Sequence, residues 1–301
     1  MFEDILEEKG FEEIETFEEF QEAVSRRVDG YNKTPQKELG GLTPEQVNAL
    51  VFPDWPGPKS PLKINDSLPD KLAKQVRIVK NCRIFLETAR EKGGLPSTKA
   101  GNLKRKAVAD FLDRMKFDPD RVAWIREYHT VINENHVRPL NILRVFLETA
   151  GLIDHHDERF HLTAKGLSML EPGKAPEFMK YLFVTYFRKF DLNYFSECRE
   201  WNEFREILPY SLYRLSKFDD EWHRVNFIAN RVLLPSIFDL ADKRGDERVD
   251  HTYSILILKP LSKFELLEGR KLGVKGVEDF DPQYRKTSLF DRFLEFDLNE
   301  G

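Results

Sequence analysis

The sequence predicts an α+β protein, predominantly helical, in which tandem helical modules carry small β-hairpins. Three observations carry this reading. The string Arg83-Ile84-Phe85-Leu86-Glu87-Thr88-Ala89 returns 61 residues later as Arg144-Val145-Phe146-Leu147-Glu148-Thr149-Ala150, with only Ile/Val changed. An internal duplication is sought first because it constrains the whole fold. Both copies close an apolar pattern of helical period, Leu72, Val76, Val79, Ile84, Phe85 and Leu86 in one and Leu140, Leu143, Phe146 and Leu147 in the other. Gly93-Gly94 and Gly151 follow them, as a helix stop requires. Finally, Thr98-Lys99-Ala100-Gly101 and Thr163-Ala164-Lys165-Gly166 each precede another amphipathic stretch.

Residues 1–30 form an acidic helical arm. Phe2, Ile5 and Leu6 have helical spacing, Gly10 separates a second helix, and Thr16 caps the run of Phe17, Phe20 and Val24. Residues 31–70 are a connector rich in Pro and Gly. One short helix fits there, from Thr43-Pro44-Glu45-Gln46 to about Phe52, and it packs through Leu50, Phe52 and Trp55. The first repeat spans 71–130 and the second 131–190. The second is the more legible. Helix Pro139–Ala150 leads to a strand at Gly151-Leu152-Ile153, a polar turn Asp154–Glu158, a returning strand Arg159–Leu162, and a helix capped by Thr163. That succession resembles the end of a winged-helix domain, in which the hairpin is the wing. The expected architecture is therefore a tandem of winged-helix-like modules with small hairpin wings.

Residues 191–301 form a helical C-terminal region with a possible third module. Val225–Leu240 is helical and interrupted at Pro235, Arg244-Gly245-Asp246-Glu247 is a turn, and Thr252–Leu258 (TYSILIL) reads as a buried strand. Lys259–Leu267 resembles the opening of the last helix of a winged-helix domain. The closing run Leu289, Phe290, Phe293, Leu294 and Phe296 reads as a helix ending in a strand.

Composition narrows the function classes. The 301 residues include 47 Lys+Arg against 52 Asp+Glu, 41% hydrophobic residues and 24 Phe, which is enough apolar material for real cores and excludes global disorder. No stretch approaches a membrane span, and the N-terminus is acidic where a secretory signal is basic, so a cytoplasmic protein is expected. Cys82 and Cys198 cannot form a disulfide framework or a cysteine-based zinc site. The net charge of −5 is uneven: residues 1–29 carry net −8, residues 71–126 net +9, and the rest is mildly acidic. Such asymmetry marks a candidate anion-binding face.

Three strings resemble an uncharacterised bacterial family: Gly41-Leu42-Thr43-Pro44-Glu45-Gln46-Val47-Asn48-Ala49-Leu50, Thr98-x-x-Gly101-Asn102-Leu103-x-Arg105-Lys106, and Lys286-Thr287-Ser288-Leu289-Phe290-Asp291-Arg292-Phe293. The resemblance spans most of residues 31–296. Members sometimes sit beside plasmid-type or zinc-binding SEC-C modules, whose cysteines are absent here. The resemblance implies no activity.

The expected function is non-enzymatic nucleic-acid binding, with DNA as partner. Lys71, Lys74, Arg77, Lys80 and Arg83 recur along one expected helix, and Lys99, Lys104, Arg105 and Lys106 cluster at the start of the next. Gly101-Asn102-Leu103 reads as a phosphate seat at a helix N-terminus. The candidate contacts are Arg77, Lys80, Lys99, Asn102, Lys104, Arg105 and Lys106. The basic block is otherwise a solvated surface, or one covered by the acidic arm. A protein-interaction scaffold is the alternative, with Phe290, Phe293 and Phe296 as a dimer patch. Catalysis is not expected, because no Gly-x-Ser-x-Gly, phosphate-loop, His-Glu-x-x-His or dinucleotide fingerprint occurs. No cofactor or metal is expected either. His155 and His156 are neighbours on a strand and point to opposite faces, so the cluster with Asp154, Asp157 and His161 reads as a polar wing tip. The aromatic run Tyr181–Phe195 has helical spacing and reads as core.

Overall fold

A computed structural model of the chain describes residues 16–51, 55–194, 198, 200–270 and 282–298. The helix expected around Phe2–Leu6 lies outside these residues, as does Phe52. Helix α1 (Phe17–Lys33) begins at Thr16, whose hydroxyl accepts from the Glu19 amide while Glu19 returns the bond to the Thr16 amide. This reciprocal cap satisfies two orphan amide donors. No residue of α1 is buried. Helix α2 (Pro44–Val51) follows, and its Val47 and Leu50 join Leu42 and Tyr210 in a small satellite core. Strand β1 (Leu62–Ile64) pairs antiparallel with the last strand of the chain, so the connector is tied to the C-terminus.

The helix expected from Leu72 to Ala89 is two helices, α3 (Asp70–Gln75) and α4 (Arg77–Glu91). Val76 lies between them with ψ 127, an extended value that no helix tolerates. From α4 the order is β2 (Leu95–Pro96), α5 (Arg105–Arg114), α6 (Pro119–Tyr128), a 3₁₀ turn at Glu134–His136, α7 (Arg138–Thr149), β3 (Ile153–His156) and β4 (Arg159–Leu162). The β3–β4 turn is Asp157-Glu158, with φ 50 and 53, the two-residue turn whose twist matches a hairpin. The sheet order is β2-β4-β3, with Leu95 opposite Phe160. This pairing crosses the boundary expected at 130/131. The two copies of the duplicated string are thus the first and last long helices around one sheet. Thr98–Gly101 does not open a helix; it forms a turn, and α5 starts only at Arg105.

Thr163 caps α8 (Ala164–Ser168) by accepting from the Gly166 amide. Helix α9 (Ala175–Arg188) follows; of the aromatic run expected as core at Tyr181–Phe195, Phe183, Tyr186, Phe187 and Phe190 are buried, whereas Tyr194 is 39% exposed and Phe195 lies outside the described residues. Phe178, Met179, Leu182, Phe183 and Phe187 are fully buried. Phe183 stands 5.2 Å from Phe264 and 5.4 Å from Phe293, so α9 is the wall on which the C-terminal half packs.

That half repeats the order of elements. After α10 (Glu203–Glu206) come α11 (Leu208–Ser216), β5 (His223–Arg224), α12 (Val225–Val232), α13 (Pro235–Arg244), α14 (Val249–Tyr253), a π turn at Ser254–Leu258, α15 (Lys259–Lys263), β6 (Leu267–Arg270) and β7 (Gln283–Lys286). The sheet order is β5-β7-β6, again with the hairpin's second strand in the centre. The correspondence reaches single residues. Thr163 donates its amide to Leu152 O and its hydroxyl to Gly151 O; Thr287 donates its amide to Leu266 O and its hydroxyl to Glu265 O. Gly151 and Glu265 hold the same left-handed position before the hairpin, at φ 63 and φ 57.

The expected strand Thr252–Leu258 is helical instead. Tyr253, Leu256, Ile257, Leu258 and Leu261 are all buried, and periodicity cannot separate a helix buried on every side from a buried strand. Pro260 lacks the N–H that would bond to Leu256 O, and the widened turn directly before it accommodates the break. Lys259–Lys263 accordingly ends the helix before the hairpin rather than opening the one after it. The described residues close with α16 (Ser288–Phe293) and β8 (Leu294–Phe296), the partner of β1. Phe290 and Phe293 are fully buried and Phe296 is half-buried against Tyr213. These rings are core, and the expected dimer patch is not on the surface. No helix among the described residues is long and apolar enough to cross a membrane.

Candidate nucleic-acid interface

The residues predicted to contact nucleic acid fall into two places. Asn102, Lys104, Arg105 and Lys106 line one shallow groove of about 590 Å³, together with Thr98, Asn133, Glu134 and Asn135. Lys99 is exposed on the turn that leads into it. Arg77 and Lys80 are elsewhere, on the first turn of α4.

The groove is built by a turn pinned from three sides. Within it, Thr98 N donates to Asn102 O at 2.7 Å and Asn102 N donates to Thr98 Oγ1 at 3.2 Å. Ser97 Oγ lies 2.8 Å from His155 Nε2 on β3, which fastens the turn to the hairpin. Underneath sits Glu134, fully buried. Its carboxylate accepts from the Leu103 amide, from Asn141 Nδ2 at 2.9 Å and from Arg144 Nε at 2.7 Å. Arg144 also reaches Glu148 at 2.5 Å. A buried carboxylate must be paired and hydrogen-bonded, and this one has a guanidinium and two neutral donors.

This geometry corrects the expected phosphate seat. The Gly101 amide donates to Thr98 O, Asn102 N to Thr98 Oγ1, Leu103 N to Glu134, and Lys104 N to Pro96 O. Every amide of the proposed seat is spent, and an internal carboxylate already holds the anion position. What the groove presents is side chains: the Lys104 and Lys106 ammonium groups, and Arg105, whose Nε donates to Asn133 Oδ1 at 2.9 Å. Glu134 is the one acid in the lining, and its charge is met by Arg144.

The rest of the basic block is largely consumed by ion pairs. Lys74 meets Asp70, Arg83 meets Glu87, Lys92 and Arg114 share Asp110, and Arg126 meets Asp113. Arg77 is engaged across the two halves. Glu265, before the second hairpin, accepts from the Arg77 amide at 3.3 Å and has Lys116 Nζ at 3.7 Å. A carboxylate there caps the N-terminus of α4, where the helix dipole favours negative charge. Lys80 is exposed with no ion pair among the described residues. Lys99, Lys104 and Lys106 likewise have no ion pair among the described residues. The acidic arm does not cover them with any described element. Its helix α1 packs on α2, and residues 1–15 lie outside the described set.

Helix α7 cannot serve as a groove-reading helix. Leu140, Asn141, Leu143, Arg144, Phe146 and Leu147 are all buried, and Phe146 packs against Tyr186 and Phe190. The hairpin histidines are dispersed. His155 contacts Ser97, while His156 stacks on His161 and lies 3.1 Å from Asp157. No group of three or more His, Cys, Asp or Glu residues among those described has the arrangement of a metal site.

Sequence reasoning missed Glu134 and the exposed aromatic face of α6, described below. A signal for the former was available, since Asn133-x-x-His136 is a capping arrangement that the structure uses.

A family model matches part of the chain. The Y4jL N-terminal domain is similar to residues 74–175, about a third of the length. The matched segment runs from the end of α3 through α8, so it encloses the first sheet and crosses residue 130. No curated protein and no solved structure matches the chain.

Proposed function

We propose that this protein is a non-enzymatic nucleic-acid-binding protein, with DNA as the partner, and that its two halves are winged-helix modules. The fold part of this reading is supported by the order helix, strand, helices, hairpin and by the hairpin's second strand lying central in both sheets. The functional part rests on one observation. Lys104, Arg105 and Lys106 keep no acidic partner among the described residues and share a groove, with Lys99 exposed on the turn beside it, and the single acid in the lining is buried and paired with Arg144. Phosphates would meet Lys99, Lys104, Arg105 and Lys106, with Asn102, Asn133 and Asn135 as neutral donors.

Changing Lys104, Arg105 and Lys106 together to Glu abolishes binding to duplex DNA. For the wild type, four phosphate contacts give a log–log salt slope of about −3 to −4. Undiminished retention of the triple variant on DNA at low salt overturns the reading.

A second reading, an assembly scaffold, draws on α1. Phe17 is 73% exposed and Phe20 37%, and no residue of the helix is buried. Light scattering that shows a stable oligomer, with no DNA shift, supports the scaffold instead.

A further inference from the structure

Beside the basic groove runs a strip of aromatic rings that the duplex reading leaves unused. On α6, Arg121, Trp124 and Tyr128 are one turn apart and form a column. The Arg121 guanidinium lies 4.7 Å from the Trp124 ring centre, and Trp124 and Tyr128 stack at 5.1 Å. Both rings are open to solvent, Trp124 at 41% and Tyr128 at 64%. Large rings are normally withdrawn from water, so an exposed stacked pair flanked by cations is a feature that needs an occupant.

The strip is continuous with the groove. Trp124 meets His129 edge-on at 5.8 Å, and His129 stacks on His136 at 3.9 Å. His136 Nδ1 accepts from the Asn133 amide at 3.3 Å, and Asn133 holds Arg105. At its other end Trp124 enters the wide cleft between the two halves, which is also lined by Arg77, Lys259, Lys263 and Arg270. The cleft carries acids too: Asp118 caps α6, Glu265 is held by Arg77 and Lys116, Glu268 by Arg285, and Asp120 lies at the entrance.

We infer that this strip is a base-stacking platform and that the ligand is single-stranded nucleic acid, which the inference takes from the nucleic-acid reading above. A duplex hides the faces of its bases. A single strand offers them, and a cationic groove beside aromatic rings binds it with little sequence preference. Phosphates occupy Lys104–Lys106 while a base lies on the open face of Tyr128, at the end of the Arg121–Trp124–Tyr128 column. The site covers about four nucleotides, the low end for such platforms.

The test uses the full chain and three labelled probes: a 12-nucleotide oligo-dT, a 12-nucleotide oligo-U and a 12-base-pair DNA duplex. Each is titrated by fluorescence anisotropy against wild type, a W124A/Y128A variant and the K104E/R105E/K106E variant, with circular dichroism confirming folding. A stacked base lost from the platform weakens single-strand binding by about 10-fold or more. The aromatic variant should show that loss on the single strands and retain wild-type affinity for the duplex, and single strands should quench Trp fluorescence in the wild type. The stronger of the two single strands separates DNA from RNA as the source. If the aromatic variant binds single strands like wild type, or loses duplex and single strand equally, the platform is refuted and the basic-groove reading stands. If the charge variant keeps all binding, or the wild type binds none of the probes, the nucleic-acid reading itself fails.

Discussion

Removing the Glu134 carboxylate should cost far more than any surface acid. The group is fully buried and accepts from the Leu103 amide, Asn141 and Arg144. Breaking a buried ion pair from one side typically costs about 3–5 kcal/mol, because the remaining charge has lost its solvent and its partner. Arg144 keeps Glu148, which is 30% exposed, so the Glu134→Ala loss falls at the lower end, about 3–4 kcal/mol. Much of that is the penalty of two orphaned donors and an under-paired guanidinium. Glu148→Ala removes the solvent-side partner and should cost below about 1 kcal/mol. The assay is urea unfolding of both variants, with hydrogen exchange at the Leu103 amide as a local report. Pairing Glu134→Leu with Arg144→Met should be milder than the sum of the two single changes by about 2 kcal/mol. A Glu134→Ala variant within 1 kcal/mol of wild type, with Leu103 exchange unchanged, refutes the network.

Two further predictions concern single positions in the packing. Gly166 lies inside α8, where Ala is normally worth about 1 kcal/mol in helix propensity. A Cβ there would stand 2.1 Å from the backbone Leu152 O, so Gly166→Ala should destabilise by about 1–3 kcal/mol, read as a lowered urea midpoint. His251 has its pKa held below the usual imidazole value by burial, then by Arg248 and Lys259, with Asp250 opposing. A depressed folded-state value means that the unfolded chain binds the proton more tightly. Stability is therefore full above about pH 6.5 and is lost as pH falls through the folded value. His251→Gln should flatten the dependence of Tm on pH between 5 and 7, and identical slopes for the two proteins would contradict it.

Several helix starts were legible because their chemistry is local, although Thr98 showed the same signal and opened only a turn. Thr16, Thr43 and Thr163 start helices with their own hydroxyls, and α9 announces itself by apolar spacing. The duplicated string misled because its two copies face one core: Phe85, Leu86, Phe146 and Leu147 are all buried around the same sheet. Equivalent packing duties select equivalent residues within a single unit as readily as between two. The strand β2 that joins the copies has two residues and pairs with Phe160 and Arg159 across more than sixty positions, so no alternation could reveal it. Glu134 was illegible for a related reason. Its buried partner Arg144 reads as half of an ordinary i,i+4 surface pair with Glu148, a pair that α4 repeats at Arg83 and Glu87.

The segment charge of +9 overstated the surface that nucleic acid could use. A charge count treats every lysine and arginine as available, whereas folding assigns seven of the fifteen in this block to a carboxylate within the chain. Lys74, Arg83, Lys92, Arg114 and Arg126 meet acids of their own block, and Arg77 and Lys116 converge on Glu265 from the other half. Those pairs are mostly exposed and individually weak, but each lowers the potential that a phosphate would feel. Of the cations with no ion pair among the described residues, which also include Lys71, Lys80, Arg90 and Arg121, those at 99–106 gather at and beside one groove, held in place by a buried carboxylate whose own charge is met by Arg144. This explains why a chain of net charge −5 can still present a cationic groove. It also explains why the salt dependence should report about four contacts rather than nine. The structural work of Glu265 and the exposure of Lys104 are thus two outcomes of one partition, between cations that the fold uses and cations that it leaves unpaired.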